Sequence, residues 1–314
     1  MSNLVATQVS TEIVRERISG RRIDVGGRIF EALLLLALLA SLAVLLTLLV
    51  DILSRGAGVY LERGLDFIVA PLSRDPAQAG IGQGLFGSIL LMLIVAATAF
   101  PIGIGAAIYL EEYARDTTFT RFITANIRNL AGVPSIVYGL LGLAVFVVAL
   151  RAITGPGVHG RSIISGGLTL AILVLPIVII TTSEALRAVP SGIREAAYGV
   201  GATRWQVVRS HVIPYAAPGI LTGTILSMAR AFGETAPLIM VGGAVSFLNT
   251  GERGILETLQ GQYTTVPTSI YLWVQQPRRE FVELSAAGII ALLVTILLVN
   301  GLAIILRNRY ARKW

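Results

Sequence analysis

A chain of 314 residues that is 54% hydrophobic and only 14% charged, with a mean hydropathy of +0.77, is too apolar for a soluble globular domain. Its formal net charge of +7 fits arginine-rich loops beside a membrane, so nucleic acid is not an expected partner. With no cysteine and two histidines, the chain offers no disulfides, and we expect no metal site. An all-α polytopic membrane protein is the predicted class.

Six apolar segments are long enough to cross a bilayer, for which about 20 residues suffice. The predicted spans are 30–50, 85–110, 129–150, 163–183, 215–245 and 284–306. No short hydrophobic region with a small-residue cleavage site precedes the first span, so we expect that span to be retained. The predicted organisation is an N-terminal tail over 1–29, a six-helix transmembrane domain over 30–306 and a C-terminal tail over 307–314.

The distribution of basic residues predicts the orientation in the membrane. With the N-terminus inside, sixteen of the 25 basic residues fall in inside segments, eight in outside segments, and Arg230 within a span. This bias follows the positive-inside rule, so both termini are expected in the cytoplasm. The basic stretch over 11–28 either lies on anionic lipid or is a disordered tail.

Proline and glycine interrupt three spans, at Pro101, at Pro176, and at Gly233 with Pro237. Because proline removes a backbone donor and clashes with the preceding turn, these helices are expected to kink. Broken helices are tolerated in membranes where they line a cavity. The alternative is that both residues are simply frequent in membrane helices. Together the interruptions favour a transporter over a simple anchor.

A polar segment over about 187–214 separates the fourth and fifth spans and is predicted to form two short helices. We expect the first over 193–198, ended by Gly201, and the second over 204–212, capped by Thr203. Pro214 then opens the fifth span. Such a helix pair can insert into a groove of a soluble partner, although an ordinary amphipathic connector fits the residues as well.

The spacing within this segment resembles a family motif. Glu195-Ala196-Ala197 is followed after three residues by Gly201, and after nine more by His211-Val212-Ile213-Pro214. This pattern is similar to the EAA loop of ABC importer permeases, which forms coupling helices that dock into ATPase subunits. The resemblance implies roles in ATPase coupling for Glu195, Ala196, Ala197, Gly201 and Pro214.

The only ionisable side chains between 216 and 245 are Arg230 and Glu234. Their spacing of four residues predicts that they lie in the middle of the fifth span, on one helix face, and pair there. Either charge alone in lipid would cost several kcal/mol. The pair either locks the span to its neighbours or binds and gates an anion, since a planar guanidinium suits an oxyanion.

The segment around this pair resembles a second motif. Residues 230–237 read Arg-Ala-Phe-Gly-Glu-Thr-Ala-Pro, which is similar to the RAxGETAP signature of phosphate-specific (Pst) ABC transporter permeases, and the Thr-Ala-Pro ending is like that of the PstA-type subunit. Other segments that agree are 103–113, 130–139, 271–281 and 312–314. The resemblance covers most of the chain from about residue 85 onward.

This resemblance implies a type I ABC importer permease (MetI-like) architecture with six transmembrane helices. The implied partners are a PstC-like permease in a heterodimer, a dimeric PstB-like ATPase, and an extracytoplasmic PstS-like phosphate-binding protein. ATP and Mg²⁺ would bind to the ATPase. This chain has no Walker motif, so we expect it to bind no cofactor and to be a transporter subunit that is not itself an enzyme.

The resemblance also implies a phosphate path between the two permeases. Arg230 would contact phosphate or gate its path, with Glu234 as its counter-charge. Thr235, on the same turn, and Ser135, after Pro134 at the start of the third span, are further candidates. A helix cap explains Ser135 equally well.

Several alternatives stay open at this point. The cargo could be arsenate or another oxyanion, and a secondary transporter would also show kinked spans and an ion pair, although no internal repeat is visible. A membrane scaffold or sensor would also present a helix pair. The outer loop over 246–283 either contacts the binding protein or is a solvated loop with a short helix. The charged cluster at Glu111-Glu112 and Arg115-Asp116 could touch the ATPase or the second permease.

Overall fold

The computed structural model describes residues 25–243 and 254–310. All regular secondary structure within these ranges is helical. The chain divides into two compact units, Met1–Asp51 and Ile52–Trp314. Most of the predicted N-terminal tail with its basic stretch, the last four residues of the C-terminal tail, and residues 244–253 of the predicted outer loop lie outside the described residues.

The described part of the first unit is helical throughout. These residues belong to helix α1, Val25–Arg63, whose C-terminal part belongs to the second unit. Its leucines are exposed, for example Leu33, Leu36 and Leu45 at 59%, 65% and 61% of their surface. A helix that is apolar all round and unburied has the surface expected of a segment facing lipid.

The second unit holds the remaining elements. Its first half contains α2 (Asp66–Val69), α3 (Gly82–Ile108, extended by the π-helical turn Tyr109–Tyr113), α4 (Thr118–Ala131), α5 (Ser135–Gly142, extended by the π-helical segment Leu143–Ala149), α6 (Arg151–Thr154) and α7 (Ile163–Arg187). Its second half contains α8 (Ser191–Gly199), α9 (Arg204–Val207), the π-helical turn Val208–Val212, α10 (Ile213–Gly233), α11 (Ala236–Met240), α12 (Ile255–Leu259), α13 (Val266–Val274) and α14 (Arg279–Tyr310).

Five helices in the described part of the chain are long and apolar enough to cross a membrane, and the bent pair α4–α5 would make a sixth. This agrees with the predicted six-span architecture, but the predicted bounds of the third and fifth spans were wrong. The third span was expected over 129–150. Residues 129–131 belong instead to α4, and the helix axis turns by 103° before α5 begins at Ser135. Pro134 explains the turn, because the residue before a proline avoids the α-helical region.

The fifth span was expected over 215–245 and is broken. The helix starts earlier, since α9, the π-helical turn and α10 form one helix over Arg204–Gly233. It ends at Gly233, and Glu234 has an extended backbone. Pro237, near the start of the separate helix α11, cannot donate the hydrogen bond that would continue the helix. By contrast, α3 and α7 run through Pro101 and Pro176 without interruption.

Small residues bring the helices of the second unit close together. A methyl group added at Gly103 in α3 would lie 2.8 Å from Cγ1 of Val178 in α7, and one added at Gly139 in α5 would lie 2.7 Å from the Cα of Pro237 in α11. Close approach through small residues is the usual basis of helix association in membranes. The contact at Gly103 brings α3 against α7, and the contact at Gly139 brings α11, the segment after the break, against α5.

The segment 254–278 is not the plain solvated loop that the sequence left as an alternative. Residues 263–269 are buried, and the backbone N–H of Val266 donates to Ser88 Oγ in α3 at 3.0 Å. Burial raises the pKa of the Tyr263 hydroxyl, because the charged form would be desolvated. The exposed parts of this segment include the short helix α12, with Ile255 83% and Leu256 63% accessible, and residues 274–278.

Candidate functional site

The EAA loop, residues 187–214, folds as its local signals predict. Helix α8 ends at Gly199, and Gly201 has a φ of +82°, in the left-handed region that glycine adopts most readily. The Thr203 hydroxyl accepts from the Gln206 backbone N–H, and the Gln206 side chain accepts from the Thr203 N–H, which is a complete capping box. Pro214 stands at the start of α10, but the helix is already continuous from Arg204.

The EAA loop presents one side to solvent and buries the other. Glu195 and Ala196 are exposed, whereas Ala197 is 6% accessible. Ala197 packs in a buried cluster with Leu186, Val207 and Val212. The exposed side carries three large apolar side chains, Tyr198 at 45%, Val200 at 86% and Trp205 at 58% of their surface. Exposed apolar side chains grouped on one loop are typical of a surface that binds another protein.

An ion pair that the sequence did not predict ties the EAA loop to the end of α3. Arg194 Nη2 donates to Glu112 Oε1 at 2.6 Å, and the two side chains are 23% and 8% exposed. The same guanidinium donates to the backbone carbonyls of Val189 and Leu186, at 2.8 and 2.9 Å. Arg194 therefore joins α8 both to α3 and to the C-terminal end of α7.

Two further contacts join the same elements. Arg187 makes a bidentate pair with Glu111, at 2.8 and 2.9 Å, and the Arg204 guanidinium lies over the Tyr113 ring, 5.2 Å from its centre. A guanidinium over an aromatic face is attracted by the ring quadrupole. Both glutamates of the charged cluster thus have partners within this chain, and the sequence alone gave no signal for either pairing.

Arg230 and Glu234 are brought together, but not in the middle of a helix. Arg230 lies in the last turn of α10 and Glu234 follows its end, with Nε and Oε1 3.5 Å apart. The predicted position in the middle of the fifth span is therefore wrong, because the helix stops at Gly233. The Arg230 side chain is 48% exposed and that of Glu234 is 18% exposed, so about half of the arginine side-chain surface is accessible.

The remaining candidates lie near this break. Thr235 connects α10 to α11, and its side chain makes no capping hydrogen bond. Ser135 is the first residue of α5, whose N-cap is Pro134, also without a side-chain capping bond. The helix-cap alternative for Ser135 is therefore not found. The structure packs α5 against α11 at Gly139 and Pro237, but it gives no hydrogen bond between Ser135 or Thr235 and the Arg230–Glu234 pair.

Comparison with known proteins assigns the chain to a family. Residues 99–312 match the family model described as "Binding-protein-dependent transport system inner membrane component". The chain is a member of this family. The matched range includes α5, the EAA loop and the broken helix, so every candidate site residue lies within it.

Relatives from bacteria agree with this membership. The chain is 37% identical to "Probable ABC transporter permease protein YqgI" of Bacillus subtilis over 58% of this chain and 60% of that protein. It is 34% identical to "Phosphate transport system permease protein PstA" of Yersinia pestis over 73% and 72% of the two chains. The aligned part thus spans less than two thirds of YqgI and more than two thirds of PstA.

Solved structures support the same architecture. One chain of a bacterial alginate ABC transporter, solved with its periplasmic protein, superposes with a TM-score of 0.64 over 96% of this chain and 98% of that chain, at 14% identity. At an identity this low the superposition shows only the fold, which is that of type I, MetI-like, ABC importer permeases. The chain is a multi-pass inner membrane permease subunit, and members of this family work with a partner ATPase and a substrate-binding protein.

Proposed function

We propose that this chain is the PstA-type permease subunit of an ATP-driven importer of inorganic phosphate. The Arg230–Glu234 pair carries the proposal. A half-exposed arginine side chain at a helix break, held by one carboxylate contact of 3.5 Å, offers a fork of guanidinium donors that suits a phosphate oxyanion. The named PstA relative of Yersinia pestis, at 34% identity, supports phosphate over another oxyanion as the cargo.

The pair would act by exchanging partners. Without phosphate, Glu234 neutralises Arg230; when phosphate arrives, it would compete with the carboxylate for the same guanidinium. Such an exchange needs an accessible cation and a replaceable partner, and the exposure and single contact of Arg230 meet both needs. Thr235 and Ser135 are proposed to donate hydrogen bonds along the same path, because their hydroxyls are not used as helix caps.

The EAA loop would couple ATP hydrolysis in the partner ATPase to transport through this chain. Glu195, Ala196, Tyr198, Val200 and Trp205 face solvent, and we propose that this surface docks into a PstB-like ATPase dimer. Ala197 and Gly201 would support that surface from behind by packing and turn geometry, and Pro214 by fixing the backbone at the start of α10. ATP and Mg²⁺ are proposed to bind to the ATPase and not to this chain.

The complete importer would also contain a PstC-like permease and a PstS-like phosphate-binding protein. Phosphate from the binding protein would pass between the two permeases, each forming half of the pathway. The arginine bias of the sequence supports cytoplasmic termini and a cytoplasmic EAA loop. That orientation puts the docking surface on the side of the membrane where ATP is available.

Phosphate uptake tests the role of Arg230. The full importer is reconstituted in vesicles, and ATP-dependent uptake of radioactive phosphate is compared for wild type, Arg230→Gln and Arg278→Gln. Arg278 is a matched control, because it is an exposed arginine with a comparable 3.6 Å contact to Glu280. Arg230→Gln should abolish uptake in an intact complex, whereas Arg278→Gln should not. Loss of complex assembly in Arg230→Gln would favour a purely structural ion pair.

ATP hydrolysis tests the role of the EAA loop. Glu195→Lys reverses one charge on the exposed surface and should uncouple ATPase activity from uptake. Glu257→Lys in α12, which is also exposed, is the control and should leave the ratio of phosphate transported to ATP hydrolysed unchanged. An unaltered ratio in Glu195→Lys would contradict docking through this surface.

A further inference from the structure

A cavity of about 620 Å³ opens at the end of the second unit that carries the EAA loop. Its walls come from the end of α3, from α4, and from Arg187 at the end of α7. Its charged lining consists of four arginines and two acids: Arg115, Arg121, Arg128, Arg187, Glu111 and Asp116. The cavity therefore has an excess of positive charge.

Two of these arginines remain available to an added anion. Arg187 is held by Glu111 at 2.8 Å, and Arg121 by Asp116 at 2.9 Å. Arg128 has only a 3.8 Å contact, to Glu184, and Arg115 makes no ion pair within residues 25–243 and 254–310. Two guanidinium groups that line one cavity can bind a phosphate group, since each offers parallel N–H donors.

Helix α4 places this cavity at the membrane surface. It crosses the direction of α5 at 103°, and none of its residues is fully buried. Phe119 and Phe122, three residues apart, form one flank and are 71% and 64% exposed. Arg121 and Arg128, seven residues apart, form the opposite flank, which lines the cavity. A helix with phenylalanine on one flank and arginine on the other lies in the interface between headgroups and acyl chains.

We propose that the cavity binds the phosphate group of an anionic lipid headgroup, in the leaflet next to the EAA loop. The phenylalanine flank enters the acyl layer, which sets the arginine flank at the depth of the lipid phosphates. Basic pockets between membrane helices suit such headgroups. A free phosphate ion would satisfy the arginines but gives no reason for the two exposed phenylalanines beside them. The proposal does not depend on which solute the permease transports.

Lipid retention measured by native mass spectrometry tests this site. The full-length chain in detergent is offered phosphatidylglycerol or phosphatidylcholine. Wild type should retain phosphatidylglycerol preferentially, and Arg115→Gln with Arg128→Gln should reduce its retention by about fivefold for each cation removed. Arg151→Gln with Arg279→Gln, two exposed arginines that do not line the cavity, is the matched control for charge and should retain the lipid.

Three results would overturn the proposal. The first is equal retention of the two lipids by wild type, and the second is an equal loss in the control variant. The third concerns the source of the phosphate group. If inorganic phosphate binds to wild type in phosphatidylcholine alone, and the cavity variant loses that binding while phosphatidylglycerol retention is unaffected, the site takes a free ion. Thermal unfolding of both double variants checks that neither has simply lost its fold. Arg115→Lys with Arg128→Lys, which keeps the charge but not the parallel donors, should retain more phosphatidylglycerol than the glutamine variant and less than wild type.

Discussion

The EAA loop and the break at Glu234 hold their charges in opposite ways. At the loop, Arg194 makes four hydrogen bonds to Glu112 and to two carbonyls, and the pair is largely buried. At the break, Arg230 has one 3.5 Å contact and is half exposed. A buried, multiply bonded pair keeps its geometry, whereas an exposed single contact is weak and can be exchanged. The arrangement at Arg194 suits a loop that must move as one rigid body. The arrangement at Arg230 suits a side chain that must exchange one partner for another.

Removing the Glu112 carboxylate should have the largest effect on stability. Glu112→Gln leaves the Arg194 guanidinium without its counter-charge in a largely buried position, and breaking such a pair costs about 3 kcal/mol. Asp116→Asn is the control, because its pair with Arg121 is 71% and 81% exposed and contributes about 0–1 kcal/mol. Thermal unfolding in detergent should show a clearly lower midpoint for Glu112→Gln only; equal shifts would contradict the contrast between buried and exposed pairs.

Two glycines of the loop should respond to alanine with opposite signs. Gly201→Ala forces a side chain into a left-handed backbone and should cost about 1 kcal/mol. Gly192 lies within α8 with no atom near an added methyl group, so Gly192→Ala should stabilise by up to about 1 kcal/mol. Thermal midpoints in detergent measure both. Stabilisation by both variants would mean that the turn at Gly201 can relax into another conformation, and destabilisation by both would contradict the prediction for Gly192.

The smallest change in stability is expected at the Arg230–Glu234 pair, to which we assign the proposed role in transport. Arg230→Gln removes one weak contact of a half-exposed side chain, so the free energy of unfolding should fall by less than about 1 kcal/mol while phosphate uptake is lost. Measuring both quantities on the same preparation sharpens the comparison. A large fall in the free energy of unfolding would mean that Arg230, like Arg194, belongs to an ion pair that stabilises the fold.

The sequence predicted the features that depend on local signals. The helices of the EAA loop follow from Gly201 and Thr203, each of which acts on its own turn, whereas Pro214 lies within a helix that already runs from Arg204. The apolar spans follow from composition. The break after Gly233 also had a local signal in Pro237, but the continuous apolar run over 215–245 concealed where the helix ends.

The buried pair at the loop could not be predicted in this way. Which of two adjacent glutamates faces the protein depends on the rotation of the helix, and the π-helical turn Tyr109–Tyr113 shifts that rotation relative to α3. Glu112 consequently points to Arg194, and Glu111 to Arg187. Both partners lie more than 70 residues further along the chain, so only the packed fold brings them together.

One continuous helix, Arg204–Gly233, begins at the EAA loop and ends at the break. At 1.5 Å per residue, Arg204 and Arg230 are about 39 Å apart along its axis. A rod of that length amplifies a small rotation: a tilt of about 5° at one end displaces the other by about 3 Å, by the same helix dimensions. That displacement is comparable with the 3.5 Å contact between Arg230 and Glu234. The helix can thus act as a lever that converts a few degrees of tilt at the EAA loop into a displacement of this size at the end that carries Arg230.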